Sequence, residues 1–169
     1  LRLVGSEMCI RDSNTAVSGE TLDFGPCAFM DEFLPGKVFS SIDRAGRYAY
    51  DRQFAVIQWN MAVLAECLLP LLHPDANQAL EIARQELGRM PSMLHQNWLA
   101  TMGRKIGIAD PGPQDEGLIR QWLDFLEAHQ LDFTNAFRDL ALGRLEGFEG
   151  LGGSAEFLLA WRLRTGGDP

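Results

Sequence analysis

The chain has 169 residues, 46% of them apolar, enough for one domain or one large lobe with a packed core. With 15 basic against 23 acidic residues, the net charge of −8 excludes bulk neutralisation of a phosphate backbone, so no nucleic-acid partner is expected. Cys9, Cys27 and Cys67 form no CxxC pair and have no histidine at ligand spacing, which excludes a disulfide framework or zinc site and makes a reducing compartment the default.

Residues 1–13 contain Gly5-Ser6-Glu7-Met8-Cys9-Ile10-Arg11-Asp12, which reads as translated adapter sequence, and the segment is set aside as foreign to the fold. Ile10-Arg11-Asp12 mimics the His-Arg-Asp of protein kinases. There the Asp precedes the metal-binding Asn by five residues, whereas Asp12 precedes Asn14 by two, so Asp12 is read as accidental. From Asn14 the chain changes character. Thr15-Ala16-Val17, the turn signal Ser18-Gly19 and Thr21-Leu22 predict a tight β-hairpin. A hairpin brings its ends together, so the Asn14 amide and the Asp23 carboxylate, nine residues apart, can converge. Both offer hard oxygen donors that suit Mg²⁺ or Mn²⁺ against phosphates. Asp23-Phe24-Gly25 also spells the metal-binding tripeptide of protein kinases.

Leu34-Pro35-Gly36 is a turn, and residues 37–52 form a polar loop with Asp43-Arg44-Ala45-Gly46 at its tip. Phe54 to Leu69 is apolar almost all the way round, which predicts a buried central helix ended or kinked by Pro70. The wider run to Leu72 is broken by Gln58, Asn60, Glu66 and Pro70, so no membrane span is expected. Asp75 with Gln78 forms a capping box for a helix to about Arg89, and Pro91 starts another that closes near Arg104 and Lys105. Those two cations and Arg89 could touch phosphate, though capping of helix ends is the favoured role. Asp110-Pro111-Gly112-Pro113 is the clearest linker. Asp115 to His129 is an amphipathic helix with Leu118, Ile119, Trp122, Leu123, Phe125 and Leu126 inward. Asp132 caps a short helix with Phe133, Ala136, Phe137 and Leu140 inward; a flexible Gly-rich loop covers 147–153; Ser154 caps a last helix. His73, His95 and His129 have no carboxylate or hydroxyl that the sequence places nearby.

The string from Asn14 to Asp31 resembles the selenoprotein O (YdiU) family of kinase-like protein adenylyltransferases. The resemblance continues through Phe39-Ser40-Ser41-Ile42-Asp43, Gly46-Arg47-Tyr48-Ala49-Tyr50 and Trp59 to Glu66, with weaker echoes at Asp132-Phe133-Thr134 and Phe137-Arg138. It implies a mainly α fold, the C-terminal lobe of a protein-kinase-like fold over residues 14–169. That lobe would comprise a metal hairpin at 14–26, an activation-loop-like segment at 27–52 and a helical part at 53–169. It implies transfer of AMP from ATP to Ser, Thr or Tyr hydroxyls of protein substrates, with Mg²⁺ (or Mn²⁺) held by Asn14 and Asp23 and with Asp23 at the nucleotide. The family places an Asp, resembling a catalytic base, where this chain has Ser13, so no catalytic base is assigned. A Gly-rich phosphate loop and a strand-borne Lys are missing upstream, so the N-terminal lobe is expected to lie outside these residues, as is a C-terminal region that carries a redox-active Cys or selenocysteine in some members. The isolated chain is expected to be inactive and, with its interlobe face exposed, to aggregate. The implied location is the bacterial cytoplasm, or the mitochondrion for a eukaryotic source. Two alternatives stand beside this reading: a γ-phosphate-transferring kinase, and a non-catalytic helical binding module.

Overall fold

The computed structural model describes residues 30–39 and 43–166. The expected metal hairpin lies outside them. Among the described residues the protein is mainly helical and has no β-strand, only an isolated antiparallel bridge between Glu32 and Asp132. Five α-helices follow in order: α1 (Gln53–Leu72), α2 (Ala76–Lys105), α3 (Glu116–Ala128), α4 (Phe133–Ala141) and α5 (Ser154–Thr165). The chain divides into two compact units, one over Pro35–Leu94 and the other over Met30–Leu34 with His95–Pro169.

The first unit holds α1 and the beginning of α2. A single 3-10 turn, Tyr50–Arg52, leads into α1. Gln53, Val56, Ile57 and Asn60 fall on one stripe at i, i+3, i+4 and i+7, and they are the buried residues of the helix. Beyond Asn60 nothing in α1 is buried, so the expectation of a central, fully buried helix is corrected. Apolar composition creates a demand for burial, but the partners that meet it must come from elsewhere in the fold. Pro70 does not end α1, which runs two residues further. So close to the C-terminus the ring removes one hydrogen bond from a turn that is ending anyway. Asp75 caps α2 as expected, its Oδ1 accepting from the N–H groups of Asn77 and Gln78 at 2.9 Å each. Pro91 does not start a new helix: α2 is continuous for 30 residues. A proline inside a helix costs about 3 kcal/mol, and the turns on either side, rich in Ala, Leu, Glu, Gln and Met, carry the helix through.

The second unit is organised around Trp122. Its indole is buried and stacks on Phe157 of α5 at 4.8 Å and on Phe125 at 5.7 Å. Phe148 and Phe137 meet it edge-on at 5.3 and 5.9 Å. Each such pair adds about 0.5–1.5 kcal/mol beyond the area it buries. Ile119, Phe125 and Leu126 share the buried face of α3, while Leu118 and Leu123 are half-buried. Asp132 caps α4 through the Asn135 N–H at 2.7 Å. Phe148 anchors the Gly-rich stretch, and His129 meets the Gly152 carbonyl at 2.9 Å, so that stretch is packed rather than free. Ser154 is the first residue of α5 and not its cap. Its hydroxyl donates to the Leu151 carbonyl at 2.7 Å, and Gly153, at φ +87°, makes the turn into the helix.

The segment from Asp110 to Pro113 is not a linker. A Cβ at Gly103 would collide with the Pro111 ring, so α2 and this segment touch at the backbone. Gly112 N–H donates to Asp115 Oδ2 at 2.8 Å. Asp115 is 2% exposed and receives a two-pronged contact from Arg164 of α5, Nε to Oδ1 at 2.6 Å and Nη2 to Oδ2 at 3.1 Å. Arg164 also donates to the Asp110 carbonyl at 3.1 Å. The Arg164 guanidinium, helped by the Gly112 N–H, holds the Asp115 carboxyl below its ordinary value against the opposing effect of burial.

Trp122→Ala should cost about 3–5 kcal/mol by urea titration, whereas Leu159→Ala, on the exposed side of α5, should stay within about 0.5 kcal/mol. For Asp115 the folded pKa lies below the unfolded one, so its contribution is fully present above the ordinary value of 3.8 and is lost as pH falls through the folded value. Arg164→Ala should therefore melt below the wild type at neutral pH. The gap between the two melting temperatures should close as pH falls below about 4.

Candidate functional site

Asn14 and Asp23, the expected metal ligands, and Ser13 at the expected base position lie outside the described residues. What the structure shows is how the chain that follows them is held. Met30 and Phe33 are buried. Phe33 N–H donates to the Leu131 carbonyl at 2.9 Å, and Phe133 N–H donates to the Asp31 carbonyl at 2.6 Å. Phe33 stacks on Phe133 at 5.4 Å. Eight residues after Asp23, then, the chain is fixed to the connection between α3 and α4. Among the described residues no group of three or more His, Cys, Asp or Glu side chains could hold a metal ion.

Residues 35–39 and 43–52 next fold within the first unit. Asp43 organises the tip: its carboxylate accepts from the N–H groups of Arg47 at 2.9 Å and Tyr48 at 2.8 Å. Gly46 takes φ +66°, the left-handed conformation that this reversal requires. Farther on, Tyr50 N–H donates to the Lys37 carbonyl at 3.4 Å and Asp51 N–H to Pro35 at 2.9 Å, which closes the base of the loop. Arg47 lies over the Trp59 ring at 4.7 Å and joins the loop to α1. Between loop and helix is an open depression of about 630 Å³, lined by Arg47, Asp51, Arg52 and Trp59 among others. Burial raises the Tyr50 phenol above its ordinary value.

The three candidate phosphate contacts take structural roles. Arg104 and Lys105 occupy the last turn of α2, where cations favour the helix dipole. The Lys105 ammonium sits over the rings of Phe133 and Phe137 at 4.7 and 4.9 Å. Arg89 pairs with Glu86 at 3.1 Å. One histidine departs from expectation: His95 Nε2 is 3.2 Å from Glu116 Oε2, and Glu116 in turn holds Arg120 at 2.7 Å. Arg120 first, with His95 adding to it, lowers the Glu116 carboxyl. A contact between residues 21 positions apart leaves no local signal in the sequence.

Residues 9–150 match the family model described as protein adenylyltransferase SelO. The chain belongs to that family. The SelO match begins at Cys9, inside the segment set aside as foreign, and takes in Asn14, Asp23 and helices α1 to α4. Among relatives, the protein nucleotidyltransferase YdiU of Agrobacterium fabrum is 48% identical over 160 residues, 90% of this chain and 33% of the relative. That of Alkaliphilus metalliredigens is 47% identical over 154 residues, covering 89% and 31%, and that of Brevibacillus brevis 48% over 133, covering 79% and 27%. The chain thus spans about a third of the length of the curated SelO-family relatives it matches. At family level the SelO members are nucleotidyltransferases acting on proteins.

Asp43→Ala should free two N–H groups at the loop tip and cost about 1–2 kcal/mol. Hydrogen exchange should show faster amides at Arg47 and Tyr48, with α3 to α5 unchanged.

Proposed function

We propose that this chain supplies the metal-binding end of the ATP site in a longer protein adenylyltransferase, which moves AMP onto Ser, Thr or Tyr hydroxyls of other proteins. The observation that carries this reading is family membership along residues 9–150, a stretch that includes the Asn14–Asp23 string. The donor chemistry fits: an amide oxygen and a carboxylate are hard ligands of the kind Mg²⁺ takes beside phosphates. Bound there, Mg²⁺ would neutralise charge developing on the phosphates. Asn14 and Asp23 would hold it, and Asp23 would orient the α-phosphate towards the acceptor. The hydroxyl oxygen then bonds to the α-phosphorus as pyrophosphate leaves. A Ser13 hydroxyl cannot take the acceptor's proton near neutral pH as a carboxylate would, so the chain as written is proposed to be inactive by itself.

Ser13 also favours a second reading, a non-catalytic helical module that binds a partner. The Asp23-Phe24-Gly25 tripeptide keeps γ-phosphoryl transfer as a further alternative.

The test uses the full-length protein with Asp at position 13, Mg²⁺ and ATP labelled on either the α- or the γ-phosphate. Label from the α position should stay on protein and label from the γ position should not. Asp23→Ala should reduce transfer by more than about a hundredfold. Retention of the γ label would establish kinase chemistry instead. Unchanged transfer in Asp23→Ala would remove this residue from the site.

A further inference from the structure

We draw no further inference here: the strongest candidate, the open depression that Arg47, Asp51, Arg52 and Trp59 line beside the first turns of α1, sets cations and a carboxylate side by side, and nothing in the structure shows what covers it.

Discussion

A buried indole has to be surrounded, and in the second unit that requirement places nearly everything else. Trp122 recruits rings from α4, from the Gly-rich connection and from α5. Once α5 lies against it, Trp161 Nε1 donates to the Ile106 carbonyl at 2.6 Å, and Arg164 reaches the buried Asp115. Ring contacts also run outward, from Trp122 to Phe137, from Phe137 to Phe133 at 5.0 Å, and from Phe133 to Phe33. The stretch that follows the Asn14–Asp23 string is thereby tied to the aromatic core. This chain of rings holds the described chain where it begins.

Local pattern revealed much of this. The faces of α3 and α4 follow a 3.6-residue period, and their buried residues are those the period selects. Asp75 and Asp132 cap the helices they precede because capping needs only a carboxylate and an N–H two or three residues on. Proline misled in part: Pro91 reads as a helix start and Pro70 as an end or a kink, yet both lie within helices, since the cost of a missing N–H is met by the turns around it. Asp110 to Pro113 has linker composition but is packed, because its partner Arg164 is about fifty residues away and no local pattern records that. The same holds for His95 and Glu116.

The functional string was legible for a different reason. A long run of specific residues identifies a family where three letters would not, and the family model matches along it. Asn14, Asp23 and Ser13 themselves lie outside the described residues, so their roles rest on donor chemistry and family membership. The apolar sequence of α1 showed that this helix requires a cover. Among the described residues, the buried side chains of α1 end at Asn60.

The reading proposed above is that these residues are the metal-carrying part of a longer protein adenylyltransferase. Reading the source DNA upstream of the codon for Asn14 tests it most directly. The account predicts an open frame with Asp at position 13, preceded by a nucleotide-binding lobe with its lysine and Gly-rich loop. A confirmed Ser13 with a true start codon close by would contradict it, leaving a lobe to be studied as a binding module.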